Sequence, residues 1–136
     1  MTRVVFDIET LGYPLESFDE QQQQYLMKFA TNDEERVEAI QKLALTPFTG
    51  FIIAIGMLNP DSRHGKVMFV ANEPDAFTSE DGNITFVSAT EKEMLEEFWQ
   101  AITHYQQFIT FNGRSFDCPF IMLRSSMLGV KPDSRR

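Results

Sequence analysis

The stretch Val4-Val5-Phe6-Asp7-Ile8-Glu9-Thr10 is a short apolar run with two carboxylates set into it. Its apolar residue types favour a β-strand that is buried on both faces. Side chains alternate along a strand, so Asp7 and Glu9 should point to the same face. Two anions this close in an apolar setting stay ionised only beside a cation, and carboxylate oxygens suit Mg²⁺ or Mn²⁺. The other interpretation is a strand end at which solvent hydrates both carboxylates, and this stretch alone leaves both interpretations open.

Length and composition predict one globular domain. A chain of 136 residues with 43% hydrophobic residues and 13 Phe can bury a core and does not have the composition of a disordered protein. No apolar run is long enough to span a bilayer, and the strand follows Met1 at once, so we expect neither membrane association nor a secretory signal. The single cysteine, Cys118, excludes an intrachain disulfide framework and favours a reducing, cytoplasmic location.

Charge is distributed unevenly along the chain. The net charge of −8 argues against broad, sequence-independent adhesion to nucleic acid through a basic surface. Residues 1–113 hold 7 Lys+Arg against 18 Asp+Glu, whereas residues 114–136 hold 5 against 2. An acidic body with a more basic final segment is compatible with an enzyme whose metal ions and few local cations meet phosphate.

Hydrophobic periodicity predicts the remaining elements. Residues 19–45 are expected to form two helices broken near Ala30–Thr31, the second with Thr31 as N-cap and Glu34 reaching back to it. A helix from Thr90 to about Tyr105 begins with another capping box and should turn its glutamates to solvent. The other predicted elements are strands at 51–58, 66–71, 84–87 and 107–111, a surface loop at 72–83 and a helix at 115–128, while the expected solvated glutamates are Glu91, Glu93, Glu96 and Glu97.

The order of these elements predicts an α/β fold with a mixed sheet. An antiparallel three-strand meander should join parallel strands through helical crossovers, with helices flanking the sheet. Residues 4–9 and 107–111 are the natural parallel neighbours. Sites in such sheets form outside the carboxyl ends of the strands, so residues that follow these two strands are the first candidates for a functional site.

A second informative stretch, F-I-T-F-N-G-R-S-F-D-C-P-F, runs from Phe108 to Phe120. It predicts a strand that enters a tight turn at Asn112-Gly113 and then a helix whose first residues include Asp117. Alone, Asp117 could be merely a helix cap or a first-turn anion that the helix dipole favours.

Together, residues 6–10, Phe-Asp-Ile-Glu-Thr, and the run Asn112-Gly-x-x-Phe116-Asp117-x-Pro119 resemble the first two motifs of the DEDD superfamily of 3′–5′ exonucleases, which share the ribonuclease H-like fold. The spacing from Asn112 to Asp117 looks most like the proofreading domain of family B DNA polymerases and the stand-alone predicted exonucleases related to it. The resemblance implies a single exonuclease-like domain over residues 1–136 that hydrolyses single-stranded DNA ends. Two alternatives stay open: a non-catalytic ribonuclease H-like module that binds nucleic acid or a protein, and an RNA-directed exonuclease of the same superfamily.

The resemblance also implies metal-ligand roles. Asp7 would bridge two Mg²⁺ or Mn²⁺ ions, Glu9 would bind the ion that activates the attacking water, and Asp117 would hold the second ion directly or through water. Two such ions stabilise the attacking and leaving oxygens of an in-line displacement.

Four further positions match substrate-binding residues of the superfamily. Thr10 and Leu11 match positions that contact the terminal nucleotide. Asn112 and Phe116 match residues that support the ligands and position the strand. Phe116 could equally be a plain core residue, an alternative that stays open at this point.

The superfamily also has a third motif on a later helix, a Tyr or His a few residues before a fourth Asp. Asp133 follows Asp117 too closely to take that role. We therefore expect a C-terminally incomplete domain that lacks the final strand and helix, with reduced or lost activity. The strand 107–111 would then be an open apolar edge, and we expect a second copy of the chain to cover it in a homodimer.

Overall fold

The computed structural model describes residues 2–132, so Asp133 lies outside the described residues. No helix among them is long and apolar enough to cross a membrane. The strands are β1 (Arg3–Gly12), β2 (Gly50–Leu58), β3 (Gly65–Phe69), β4 (Ala76–Thr78), β5 (Ile84–Ser88) and β6 (Gln107–Ile109). The α-helices are α1 (Glu20–Leu26), α2 (Asp33–Gln41), α3 (Glu91–Ile102) and α4 (Cys118–Met127).

The six strands form one mixed sheet in the order β4-β5-β3-β2-β1-β6, which confirms the predicted α/β class. The predicted parallel neighbours are confirmed, because β1 and β6 run parallel from Arg3 opposite Gln107 to Val5 opposite Ile109. The predicted pairing of β2 with β3 in an antiparallel hairpin is also confirmed.

The antiparallel three-strand meander is wrong in its last pairing, because β5 runs parallel to β3. The cause lies in residues 72–83, which are not a loop throughout but contain β4. This strand pairs antiparallel with β5, and Phe77 stacks on its partner Phe86 with ring centroids 4.7 Å apart. The chain therefore reverses once more before β5, and this reversal gives β5 the direction of β3.

Within the chain, Met1–Glu9 together with Ile52–Arg136 forms one compact unit, and Thr10–Phe51 forms another. The first unit contains the main core. Val4, Phe6 and Ile8 alternate onto the buried face of β1, and Phe6 meets Phe98 of α3 edge-on at 5.2 Å between ring centroids. Helical periodicity predicts a buried stripe of Met94, Leu95, Phe98, Ile102 and Tyr105, and the first four are buried in α3, whereas Tyr105 follows the helix and is partly buried.

Two polar contacts fix α4 against α3 in this unit. The indole Nε1–H of Trp99 donates to the hydroxyl of Ser125 over 2.9 Å in a buried setting. Arg124 forms an ion pair with Glu91, and their side chains are only 5% and 12% exposed. The expectation that Glu91 is solvated is therefore wrong, because the carboxylate faces a buried guanidinium that lies 33 residues away in the sequence. The capping box at Thr90 and Glu93 is confirmed.

The unit Thr10–Phe51 contains α1 and α2, neither of which has a fully buried residue. The predicted N-cap of α2 is one residue early. Asn32 caps the helix by accepting the N–H of Glu35, and the Glu35 carboxylate in turn accepts from Thr31. Asn and Thr are both favourable N-caps, so the sequence pattern does not distinguish position 32 from position 31.

Candidate active site

Strand β1 places two carboxylates on one face, as its alternation predicts. Asp7 and Glu9 are both exposed, whereas Phe6 and Ile8, which alternate with them, are buried on the other face. Exposure by itself agrees with hydrated carboxylates, although the expected strand end is not present here, because β1 continues to Gly12. Whether these carboxylates form a metal site or are simply hydrated depends on which side chains lie next to Asp7.

Asp117 lies beside β1, although 109 positions of sequence separate it from its partner there. The backbone N–H of Ile8 donates to Asp117 Oδ2 over 3.2 Å. Pairing of β1 with β6 ends at Val5, so the Asp117 carboxylate takes a donor that a longer β6 would have used. The side chain makes no capping hydrogen bond to α4. The interpretation of Asp117 as a simple helix cap is therefore wrong.

Burial and a neighbouring anion together perturb Asp117. Its side chain is only 3% exposed. Burial raises the pKa of Asp117 above its ordinary value, and the charge of Asp7 and a hydrogen bond with Asp7 raise it further, while the Ile8 N–H opposes the shift. Asp7 and Asp117 are thus neighbouring carboxylates, of which Asp117 is buried and Asp7 is exposed to solvent.

This pair fits a hard divalent cation. Its donors are carboxylate oxygens, and a cation between them would relieve the repulsion by Asp7, which adds to the effect of burial on the pKa of Asp117. Among residues 2–132, however, no group of three His, Cys, Asp or Glu side chains converges closely enough to hold a metal ion. The structure therefore brings Asp7 and Asp117 together, while Glu9 shares the face of Asp7 without joining them. A three-ligand site remains a prediction.

The turn that carries the second stretch is closed by two hydrogen bonds. The Gly113 N–H donates to Thr110 Oγ1 over 2.8 Å, and the Phe116 N–H donates to the Asn112 carbonyl over 2.8 Å. Gly113–Asp117 forms a π-helical turn, a rare geometry that recurs at functional sites. The predicted strand 107–111 ends early, at Ile109, because Thr110 turns its hydroxyl to this turn instead of continuing the ladder.

Gly113 leaves no room for a side chain, which gives a first testable prediction. A Cβ at this position would lie 2.0 Å from Thr110 Oγ1, so Gly113→Ala should destabilise the protein by about 1–3 kcal/mol through overpacking. Urea unfolding followed by fluorescence would measure this loss. The matched control is Gly56→Ala, whose Cβ would meet nothing closer than 3.9 Å. Equal effects of the two substitutions would contradict the tight turn.

The substrate-binding residues expected from the resemblance have mixed surroundings. Phe116 is partly buried against the core and lies 5.5 Å from the Phe120 ring, which favours its interpretation as a core residue. Asn112 is exposed. In the other unit, the Thr10 hydroxyl donates to the Ala44 carbonyl over 2.7 Å, and Leu11 is exposed. Contacts of these four residues with a nucleotide stay predictions.

Sequence reasoning missed the ion pair of Arg124 and Glu91, which holds α4 and hence its neighbour Asp117. Glu91 Oε2 accepts both from Arg124 Nε over 2.9 Å and from the Ile52 N–H over 2.8 Å. A signal was present in the sequence. Arg124 follows Phe120 and Ile121 at helical spacing, and a long cation in a buried stripe needs a buried anion.

Comparisons with known proteins identify the family of this chain. The profile of a family described as "predicted 3′–5′ exonuclease related to the exonuclease domain of PolB" matches residues 53–134, more than half of the chain. That span includes Asp117 but neither Asp7 nor Glu9. The protein named DNA polymerase 1 of Sulfolobus acidocaldarius is 28% identical over 85 residues, which are 60% of this chain and 10% of the polymerase. The chain thus spans about a tenth of that relative's length.

Proposed function

The chain belongs to the family of predicted 3′–5′ exonucleases related to the exonuclease domain of PolB, and from this premise we propose that it hydrolyses phosphodiester bonds at the 3′ ends of single-stranded DNA with divalent metal ions. The mixed sheet and flanking helices agree with a ribonuclease H-like α/β fold. The observation that carries the proposal is the contact of Asp117 with β1 at Ile8, beside Asp7, just beyond the carboxyl end of β6.

Each residue of the pair has a task that its surroundings support. The Ile8 N–H fixes one oxygen of Asp117 and thereby orients the carboxylate toward Asp7. Asp7 stays open to solvent, from which a substrate phosphate would approach. Asp7 and Asp117 would hold Mg²⁺ or Mn²⁺, with Glu9 completing the set of ligands. When bound, such ions supply Lewis acidity that activates water and neutralises phosphate charge, in the two-metal manner.

A direct assay tests the function. A single-stranded DNA oligonucleotide labelled at its 5′ end is incubated with the full chain and Mn²⁺, Mg²⁺ or a chelator. We expect stepwise shortening from the 3′ end that requires the metal ion. If no shortening occurs with either metal while the oligonucleotide still binds, the chain is instead the non-catalytic binding module.

The choice of DNA over RNA rests on the relatives. The family is described by reference to PolB, and the polymerase from Sulfolobus is named as a DNA polymerase. We therefore expect faster digestion of a DNA strand than of an RNA strand of matched sequence and length. Faster digestion of the RNA would assign the chain to the RNA-directed alternative. A cytoplasmic location stays a prediction from composition.

A further proposal concerns the edge of the sheet. Within the described residues, β6 is the last strand of the sheet and has β1 as its one neighbouring strand. An apolar depression of about 200 Å³ begins beside it, with Phe6, Trp99, Phe108 and Met122 among its lining residues. We expect a second copy of the chain to cover this edge. Light scattering after size exclusion should give twice the chain mass, and a monomer at high concentration would contradict this expectation.

A further inference from the structure

Phe111 is the most exposed large apolar side chain within residues 2–132, and it is fully exposed to solvent. The turn that displays it is closed by the hydrogen bonds of Gly113 with Thr110 and of Phe116 with Asn112. An aromatic ring in this position adds nothing to the core. These hydrogen bonds fix the backbone of the turn on both sides of the ring.

The turn that carries this ring ends beside the acidic pair. Pairing of β1 with β6 ends at Val5 and Ile109, and Phe111 follows two residues later, outside the strand. At the far end of the π-helical turn, Asp117 accepts the N–H of Ile8, the residue after Asp7.

A depression of about 570 Å³ begins at the foot of this turn, where Thr110 and Gly113 form part of its wall. Its volume is within the usual range of ligand sites, roughly 300–1,000 Å³. Phe108, Pro119 and other apolar residues line most of it, and among its lining residues in the described chain only Arg114 is charged. An apolar wall with a single guanidinium suits a ligand that combines a flat apolar part with an anion.

We propose that Phe111 and Arg114 form a nucleotide platform beside the acidic pair, in which the Phe111 ring stacks on a base and the Arg114 guanidinium binds a phosphate. This inference rests on the proposed function for its substrate class, a single-stranded nucleic acid. Stacking tolerates any base sequence, as an enzyme that shortens arbitrary strands requires. Local contacts of this kind also explain how a chain with a net charge of −8 can hold a polyanion.

The test measures binding without hydrolysis. The full chain is titrated, in a chelator, against a short DNA strand that carries 2-aminopurine at its 3′ end, because the fluorescence of this base is quenched by stacking. We expect Phe111→Ala to weaken binding roughly 5- to 100-fold and to remove the quenching, whereas Phe111→Trp retains both. Arg114→Gln should weaken binding and reduce the slope of log affinity against log salt by about 0.7. Phe48→Ala, another exposed aromatic position, is the matched control and should change nothing.

The outcomes separate this inference from the proposed function. Strand shortening by the wild type, together with a Phe111→Ala variant that keeps the affinity, the quenching and the KM, overturns the platform and leaves the exonuclease. Absence of shortening in any metal, together with binding that depends on Phe111, supports the platform and overturns the exonuclease. A wild type that does not bind or quench the labelled strand overturns the platform as well.

Discussion

Replacement of Asp7 by Asn is expected to reduce metal-dependent nucleotide release by at least about a hundredfold while the protein remains folded. Loss of a group that only supports a metal ligand already costs roughly 10–100-fold, and Asp7 is placed to touch the metal itself. Asn keeps the shape of the side chain and one acceptor oxygen but removes the negative charge that lies beside Asp117. The initial rate of 3′ shortening with Mn²⁺ is the measurement. A variant within tenfold of the wild type would remove Asp7 from the site.

Although Asp7→Asn should lower the rate, it should raise the free energy of unfolding at neutral pH. The pKa of Asp117 is raised above 3.8 in the folded protein, by burial first and by the charge of Asp7 next. The folded state therefore binds a proton more readily than the unfolded state, and the free energy of unfolding falls as pH rises from about 3.8 through the folded pKa. Asp7→Asn removes one cause of the shift. We expect the variant to be more stable than the wild type at neutral pH, and this difference should vanish below pH 3.8.

Two acids on exposed surface provide controls for that measurement. Glu96→Gln, on the solvent side of α3, should change neither stability nor rate. Glu9→Gln should lower the rate, as the resemblance to the superfamily implies, but should leave the pH dependence of unfolding as in the wild type. An equal stabilisation by Glu9→Gln would mean that general surface charge, and not the buried neighbour of Asp7, causes the effect.

The sequence predicted the parts of this fold that local pattern controls. Pattern located β2, β3 and β5 to within about two residues, and the capping box located the start of α3, whereas β1 continues beyond the predicted residues 4–9 to Gly12. The parallel pairing of β1 with β6 followed from the order of elements. Pattern failed at β4, a strand of three residues inside a polar, turn-rich segment, since all three are exposed and show no alternation.

The candidate site could be predicted in its residue types but not in its contacts. Asp7 and Asp117 stand out because carboxylates interrupt or follow apolar strands. No local sequence pattern predicts that Asp117 accepts the Ile8 N–H, because the two residues come together only where β6 ends early. The exposure of Phe111 was hidden for the same reason. In the predicted strand 107–111, Phe111 would be an ordinary strand residue. It is exposed because the chain turns at Thr110 and Gly113 instead.

Arg124→Met is expected to destabilise the protein by about 3–5 kcal/mol, the usual loss when one partner of a buried ion pair is removed. The loss arises because Glu91 would keep its charge in a site where it is only 12% exposed, with the Ile52 N–H as its remaining hydrogen-bond partner within residues 2–132. Stabilities of domains are about 5–15 kcal/mol, so this one change could unfold a large fraction of the molecules. Urea unfolding followed through Trp99, the one tryptophan of the sequence, measures it. Arg114→Met, at an exposed position, should stay within about 0.5 kcal/mol.

The double variant Glu91→Gln with Arg124→Met decides what the pair contributes. It removes both charges but keeps an oxygen for the Ile52 N–H, so we expect it to regain much of the stability that Arg124→Met loses. Purely additive losses would mean that the two side chains act independently, in contradiction to their 2.5 Å contact. Helix α4 begins immediately after Asp117, and Arg124 is the charged residue that holds it to α3 and β2. The stabilisation by Asp7→Asn at neutral pH requires Asp117 to stay at Ile8. We therefore expect this stabilisation to be lost when Asp7→Asn is combined with Arg124→Met, and to return when it is combined with the double variant.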